Sequence, residues 1–402
     1  MVSLSVLGVG ALGVIAGCDA DRSSSVAPVE AISPPTRSES GQPFLFARHD
    51  TAWLSWVEPV DSTEHVLRYA TLAGDGWSPA TTVARGRDWF VNWADVPSVR
   101  PLTGGRMAAH FLKSSGPDVY AYDVQIVQSE DGKTWSAPVT PHADGTPTEH
   151  GFVSLLPHRP DSLLAVWLDG RKMASGEGPM TLRSGILDAT GTATRTTELD
   201  GRTCECCPTT AVQTDSGVLV AYRDRTDTEV RNIAVVRYDG TRWTEPTWLH
   251  DDGWQINGCP VNGPALAADG DRVAAAWFTG ADASPRVQVA FSRDGGATFG
   301  APVVVDAEAP QGYVDVALLA DGSAAVSWKD TASNGAALRA RRVTADGTIG
   351  SVRTIASSLP AGRSGMPRMV RRDATLVFAW TAAKPDGTPH VEAGQLHVSA
   401  LP

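Results

Sequence analysis

The chain has 402 residues and a net charge of −11. This acidic balance, without any cluster of lysines or arginines, argues against a nucleic-acid partner, because neutralising phosphates requires a basic surface. Hydrophobic residues make up 42% of the chain, which is enough for a buried core, and the 39 glycines and 27 prolines indicate a fold with many tight turns.

The N-terminus predicts export. Residues 1–17 (MVSLSVLGVGALGVIAG) are apolar, uncharged and short for a membrane span. Small residues directly before Cys18 are typical of a bacterial lipoprotein signal peptide, in which that cysteine becomes lipidated. The prediction is a lipid-anchored envelope protein that faces the periplasm or the cell surface. A plain secretory signal is the alternative, because no lysine or arginine lies near the start.

Residues 18–40 follow, rich in serine and proline, and are predicted to form a tether. From residue 41 to residue 402 a short hydrophobic strand recurs every 51 to 57 residues and usually ends in tryptophan. A constant period of this size, with turn residues and no helical periodicity, predicts an all-β propeller of seven four-stranded blades. The seven copies are Thr51–Trp56, Met107–His110, Leu163–Trp167, Val218–Tyr222, Val273–Trp277, Ala324–Trp328 and Leu376–Trp380.

The two ends of the chain are predicted to meet in one blade. The last unit, from about Met366, has only three strands before the chain ends at Pro402. Val26–Ile32 resembles the missing outer strand. We therefore expect an N-terminal strand to close the ring and remove the exposed sheet edge.

Turns of the form Ser-x-Asp, then glycine, then an aromatic residue separate the strands. The clearest copies are Ser129–Trp135 and Ser292–Phe299, and weaker copies end at Trp77 and Trp243. In such a turn the aspartate caps backbone N–H groups and glycine adopts a left-handed conformation. These turns resemble the Asp-box, or BNR repeat, of the sialidase superfamily, whose known propellers have six blades. Six blades are therefore the alternative to seven.

The resemblance implies sialidase chemistry at matching positions. Sialidases use a tyrosine nucleophile activated by a glutamate, with arginines that hold the substrate carboxylate. Tyr313 opens a blade as that nucleophile does, and Arg223 and Arg286 lie where two of the arginines are expected. Glu205 is the acidic residue nearest to the expected glutamate. Because a phenol has a pKa of about 10, Tyr313 needs such a partner to be a nucleophile.

Four further cysteines lie in the loops that open the fourth and fifth blades. Disulfide bridges, a thiolate metal site and a redox-active thiol pair all remain open from the sequence. A single long bridge from Cys259 is easy to form, but it leaves the other two cysteines as a close pair. Sulfur and imidazole ligands favour copper, or less readily zinc. The candidate ligands are Cys204, Cys206, Cys207, Cys259, His110, His150 and Met366.

Three functions follow as hypotheses. The first is an envelope lipoprotein whose Cys/His cluster at the channel mouth binds copper for capture or oxidation. The second is an exo-acting sialidase-type hydrolase with Tyr313 as nucleophile. The third is a non-catalytic module that binds a glycan or an envelope protein. The sequence does not predict an oligomeric state.

Overall fold

The computed structural model describes residues 1, 28–74, 76–176, 178–333, 335–360 and 365–401. In these residues the secondary structure is almost entirely β, and it forms seven antiparallel sheets arranged as the blades of a propeller. In each blade the chain runs from an inner strand at the channel outward to the rim. The predicted all-β, seven-bladed fold is confirmed, and the six-bladed alternative is wrong.

The first strand in the chain is β1 (Glu30–Ala31). Blade 1 consists of β2 (Gly41–Arg48), β3 (Thr51–Pro59), β4 (Glu64–Ala73), β5 (Gly76–Trp77) and β6 (Thr81–Arg87). Blade 2 consists of β7 (Ser98–Pro101), β8 (Met107–Ser114) and β9 (Tyr122–Ser129). Blade 3 consists of β10 (His150–Arg159), β11 (Ser162–Asp169), β12 (Thr181–Asp188) and β13 (Ala193–Asp200). Blade 4 consists of β14 (Thr210–Thr214), β15 (Gly217–Arg223), β16 (Ile233–Tyr238) and β17 (Thr247–His250). Blade 5 consists of β18 (Ala265–Asp269), β19 (Arg272–Thr279), β20 (Arg286–Ser292) and β21 (Val303–Asp306). Blade 6 consists of β22 (Pro310–Leu318), β23 (Ala324–Ala332), β24 (Gly335–Val343) and β25 (Arg353–Leu359). Blade 7 contains β26 (Arg368–Arg372), β27 (Thr375–Ala383) and β28 (Pro389–His397). Short 3-10 turns span Thr103–Gly105, Arg171–Ser175, Ala281–Ala283 and Val398–Ala400.

Blade 7 closes the ring with the N-terminal strand. β1 pairs antiparallel with β28, with Glu30 opposite Gln395. The backbone N–H of Ile32 then donates to the carbonyl of Ala393 at 3.0 Å. The predicted closure is therefore confirmed, and β28 gains a partner along the edge that it would otherwise expose.

Blade 2 differs from the others at its rim. A fourth strand is expected over residues 137–140, but only Val139 pairs there, in a single bridge to Ile126. Two hydrogen bonds of 2.8 and 2.9 Å join those two residues. Pro138 and Pro141 flank the bridge and have no N–H to donate, so the ladder cannot extend.

The core consists of seven hydrophobic clusters, one between each pair of neighbouring blades. The repeated tryptophans fill these interfaces, and Trp56, Trp167, Trp277 and Trp328 are fully buried. Trp167, for example, donates its indole N–H to Asp169 at 2.8 Å. A buried indole stabilises the interface with its large apolar surface when its N–H also has an acceptor.

The predicted aspartate turns form with the expected hydrogen bonds. Asp131 accepts the backbone N–H groups of Lys133 and Thr134 at 2.8 and 2.7 Å, and Gly132 has a φ of 70°. Asp294 caps the turn of blade 5 in the same way. Backbone N–H groups at Asp131, and the Thr298 hydroxyl followed by backbone N–H groups at Asp294, stabilise the ionised carboxylates and lower the pKa of each aspartate to about 2.

The predicted membrane anchor is outside the described part of the chain. Cys18 and residues 2–17 of the predicted signal segment are not among the described residues, and neither are residues 19–27 of the tether. Within the described residues, no helix has the length and apolar character needed to cross a membrane.

Candidate functional site

The seven inner strands surround a central cavity of about 900 Å³. Because every blade has the same strand order, the loops that lead into the inner strands, here called the entry loops, all lie on one face of the ring. Apolar and polar residues contribute about equally to the cavity wall. Its charged side chains identify what the channel can bind.

Two arginines from different blades converge inside the channel. Arg100 lies on β7 and Arg368 begins β26, and both line the cavity. The guanidinium carbons of Arg100 and Arg368 lie 4.8 and 5.2 Å from the ring centre of Phe44. Arg100 also lies 4.7 Å from the ring centre of Phe46. The faces of these rings thus stabilise two neighbouring cations.

The two guanidinium groups are poorly neutralised. Burial, together with the neighbouring charge of Arg368, lowers the pKa of Arg100 to about 10. Burial also lowers the pKa of Arg368. Among the described residues, neither Nε–H group has a hydrogen-bond partner. Two desolvated cations with unused donors form a site that an anion would stabilise.

Asp315 supplies the negative charge nearest to the arginine pair. Its two oxygens accept the backbone N–H groups of Val316 and Met369 at 2.9 and 2.8 Å. Burial raises the pKa of Asp315, while Arg368 and Arg100 oppose that shift. One carboxylate therefore faces two guanidinium groups, and the immediate surroundings keep an excess of positive charge within an acidic protein.

The entry end of β22 carries Tyr313, the predicted nucleophile. Its ring meets Trp93 edge to face at 5.9 Å, and Nζ of Lys329 lies 5.3 Å from its centre. Burial lowers the pKa of Lys329 to about 8. The backbone N–H of Tyr313 donates to the Asn262 side chain at 2.7 Å. Tyr313 therefore lies beside a lysine. Glu205, the residue predicted to activate it, pairs with other side chains.

The other residues of the sialidase prediction are also engaged elsewhere. Arg223 is buried, and its three guanidinium nitrogens donate to the backbone carbonyls of Asn262, Arg231 and Phe278 at 2.7–2.8 Å. Arg286 donates to the carbonyls of Ala281 and Ser284 at the adjacent 3-10 turn. Glu205 forms ion pairs with Arg225 and Arg231.

The four cysteines gather at the entry loops of blades 4 and 5. Cys206 and Cys259 form a disulfide with a Cα–Cα distance of 6.1 Å. Cys204 and Cys207 are buried free thiols, and their sulfur atoms lie 3.1 Å apart. The structure thus contains the long bridge from Cys259 that the sequence makes easy to form, and the other two cysteines remain as a close pair. The C-x-x-C spacing of Cys204 and Cys207 is a sequence pattern that fits this remaining pair.

The other predicted metal ligands belong to different surroundings. His110 is buried against the Ser98 hydroxyl, 2.9 Å from its Nδ1, and burial lowers its pKa to about 3. Met366 packs in the hydrophobic cluster that also contacts Trp93 and Tyr313. Among the described residues, the sulfur atoms and His150 fall into separate groups of potential ligands. Copper at the cysteines stays a prediction.

His150 belongs to a buried cluster in the interface between blades 2 and 3. Its ring stacks on His142 with centres 3.9 Å apart and an 8° angle between the planes. Asp123 lies at one end of the stacked pair, 3.5 Å from Nδ1 of His150, and Asp144 lies at the other end, 3.3 Å from its Nε2. Arg171 pairs with Asp144 and Asp169. Burial and the neighbouring His150 lower the pKa of His142 to about 4.

A phenol bridges two buried carboxyl groups beside the channel. The Tyr122 hydroxyl lies 3.1 Å from Asp95 and 2.8 Å from Glu149. Burial raises the pKa of both Asp95 and Glu149 to about 7. Asp95 also lines the cavity. The three groups come from separate segments of the chain, so no sequence pattern brings them together.

Comparisons with known proteins agree on the architecture. No protein-family model matches the sequence, and the search of curated proteins finds no match. Among solved structures, the chain is similar to an ulvan lyase, with a TM-score of 0.58 and 9% identity over 92% of this chain and 95% of the other. It is also similar to the α-L-arabinanase of Penicillium chrysogenum, with a TM-score of 0.50 and 12% identity over 94% and 100%.

A protein of unknown function from Dyadobacter fermentans gives a TM-score of 0.50 and 16% identity over 85% of this chain and 99% of the other. At these identities the likeness shows the fold alone.

Proposed function

We propose that this protein is a glycan-active propeller that binds an anionic glycan in its central channel, with an acidic group of the sugar held between Arg100 and Arg368. The observation that carries the proposal is the convergence of these two guanidinium groups on Phe44, with a single carboxylate beside them. A uronate or sulfate group would supply the missing negative charge and accept the unused N–H donors.

The chemistry of the guanidinium group favours this class of ligand. Its planar set of donors matches a carboxylate or sulfate with two parallel hydrogen bonds. In a partly desolvated channel such a charge-assisted pair is stronger than at the surface. The cavity of about 900 Å³ has the volume to admit a few sugar units.

Related architectures support the proposal. An ulvan lyase structure with the saccharide -[GlcA(1-4)Rha3S]- bound is similar to this chain, with a TM-score of 0.57 and 10% identity. That saccharide is anionic. The sialidase-type turns support the same general class, a propeller that acts on sugars. Sialidase chemistry through Tyr313, Arg223, Arg286 and Glu205 is the sharper form, but the contacts of Arg223 and Glu205 do not favour it.

We propose that the N-terminal segment directs this activity to the cell envelope. A lipid on Cys18 and the tether that follows would anchor the propeller outside the membrane, where polysaccharides occur. Incorporation of a labelled fatty acid tests this part of the proposal. The label should appear in the full chain and be lost in Cys18→Ser.

Binding and cleavage of an anionic polysaccharide test the glycan proposal. We expect polygalacturonate or a glucuronan to retard the protein in affinity electrophoresis, with the retardation reduced about tenfold or more in Arg368→Gln. Arg242→Gln is the matched control, because Arg242 lies on an exposed outer turn. New reducing ends would show that the sugar is also cleaved. Equal retardation of both variants would contradict the proposal.

A further inference from the structure

The four cysteines are arranged in two layers. Cys259 is exposed, its disulfide partner Cys206 is half-buried, and Cys204 and Cys207 are 0% and 1% exposed. The sulfur atoms of Cys204, Cys206 and Cys207 all lie within 4.8 Å of one another. A surface disulfide is therefore in contact distance of a buried dithiol.

The charges around Cys204 favour a thiolate. Arg231 donates to its sulfur at 3.2 Å and is itself held by Glu229 at 2.9 Å. The hydrogen bond from Cys207, followed by backbone and arginine contributions, lowers the pKa of Cys204 to about 6 despite its burial. Burial and the neighbouring Cys204 raise the pKa of Cys207. One sulfur is thus an attacking thiolate, and the other remains a protonated thiol.

The same arginine weakens the metal alternative. A guanidinium in contact with a sulfur ligand repels a cation bound to that sulfur, whereas it stabilises the thiolate that thiol–disulfide exchange requires. The disulfide also withdraws Cys206 and Cys259 from any ligand set.

We propose that Cys204, Cys206, Cys207 and Cys259 form a thiol–disulfide exchange centre, in which one disulfide moves between the surface pair Cys206–Cys259 and the buried pair Cys204–Cys207. The centre would exchange two electrons with a dithiol or disulfide of a partner molecule at the exposed Cys259. This activity is separate from glycan binding in the channel.

The internal exchange balances without an added oxidant. The Cys204 thiolate attacks the sulfur of Cys206, the Cys206–Cys259 bond breaks, and Cys259 leaves as a thiolate. Cys207 then loses its proton and attacks Cys204, which forms Cys204–Cys207 and releases Cys206 as a thiolate. Because Cys204 starts as a thiolate, the buried pair holds one proton, and the exchange leaves the surface pair with that proton as one thiol and one thiolate. Glu149, whose pKa burial and the charges of Asp95 and Cys204 raise to about 7, is a nearby proton acceptor.

Exchange with a partner is equally balanced. When both pairs are oxidised, a partner dithiol attacks the surface disulfide, takes over the disulfide bond and leaves two thiols on this protein. The internal exchange then runs in reverse: the surface pair forms its disulfide again, and the buried pair becomes the dithiol. The form with one disulfide and one buried dithiol is the state that the structure shows.

Alkylation of the folded protein tests the proposal. Native protein would be incubated with N-ethylmaleimide at pH 7.5, quenched, and mapped by peptide mass spectrometry without reduction. We expect maleimide on Cys206 and Cys259 together with a new Cys204–Cys207 disulfide, because alkylation traps the released surface thiols. An intact Cys206–Cys259 bond, with Cys204 and Cys207 labelled only after denaturation, would overturn the proposal.

Two variants resolve the steps. In Cys207→Ser the second attack is lost, so maleimide should label Cys259 alone while a Cys204–Cys206 bond accumulates. Arg231→Gln should slow labelling at pH 6, because loss of the guanidinium beside the sulfur raises the pKa of Cys204 and lowers the fraction of thiolate. Thermal unfolding of both variants controls for loss of the fold. The wild-type result decides the proposal even if a variant fails to fold.

Discussion

Both carboxylate oxygens of Asp95 accept the backbone N–H of Phe152, each at 2.9 Å. This contact ties the entry loop of blade 2 to the first residues of the inner strand of blade 3. Asn262 holds Tyr313 in the same way at the entry of blade 6. Phe152 and Tyr313 have φ values of 53° and 51° at a bulge in their strands. A polar side chain from the preceding blade thus stabilises a left-handed residue beside the channel.

The glycine before this bulge should be essential for stability. A Cβ on Gly151 would lie 1.9 Å from Asp95 Oδ2, whereas a Cβ on Gly41, the glycine at the entry of blade 1, meets nothing within 4 Å. We expect Gly151→Ala to lower the free energy of unfolding by about 3 kcal/mol and Gly41→Ala to change it by less than about 1 kcal/mol. Urea denaturation measures both. Equal effects would show that the Asp95 contact is not rigid.

Asp95 should also make stability depend on pH. Its folded pKa of about 7 lies above the ordinary value of 3.8, so the folded state binds the extra proton. That stabilisation is complete below about pH 4 and is lost as the pH rises to 7. Tyr122 and Glu149 face the same carboxyl group, and Asp95 also raises the pKa of Glu149, which gives a change of the same sign.

Asp95→Asn removes this titration. Between pH 4 and pH 7.5 the unfolding free energy of the wild type should therefore fall relative to that of the variant by about 3–4 kcal/mol. Chemical denaturation of both proteins across that range provides the measurement. Parallel pH profiles would mean that the carboxyl group titrates normally in the folded protein.

Arg223 should be structural and Arg286 nearly dispensable. Arg223→Gln leaves several buried carbonyls without their donors, and we expect a loss of about 3 kcal/mol or more in unfolding free energy. Arg286 is half-buried and, among the described residues, makes two long hydrogen bonds, so Arg286→Gln should cost less than about 1 kcal/mol. A stable Arg223→Gln protein that loses glycan binding would instead support the sialidase-type role.

Ring closure should be visible in the stability of the whole propeller. Ile32 is buried in the cluster between blades 7 and 1. Ile32→Ala should lower the unfolding free energy by about 2–3 kcal/mol, because it leaves a cavity at the closing strand. Val60→Ala, at a side chain that is 43% exposed, is the control and should have an effect within about 0.5 kcal/mol. Equal results would indicate that the first strand adds little to closure.

The fold was predictable because its signals are local and repeated. A tryptophan strand and an aspartate turn recur in the sequence, and both Trp167 and Asp131 have contacts within a few residues of themselves. The blade 2 rim was mispredicted because the two prolines beside Val139 outweigh its strand propensity.

The channel site was not predictable in the same way. Arg100 and Arg368 are far apart in the sequence, and they meet only because the ring closes. Each lies next to a proline in a short inner strand, and this position was the available signal. The sialidase comparison instead favoured Arg223, whose partners are backbone carbonyls that no sequence pattern reveals.

A titration with two matched oligosaccharides tests the central claim most directly. Isothermal calorimetry would compare a uronate oligosaccharide with its carboxyl-reduced counterpart, on the wild type and on an Arg100→Gln/Arg368→Gln variant. We predict that the wild type binds the uronate form at least about tenfold more tightly and that the variant does not distinguish the two. Equal affinities in the wild type, or a preference that persists in the variant, would contradict anion recognition by this arginine pair.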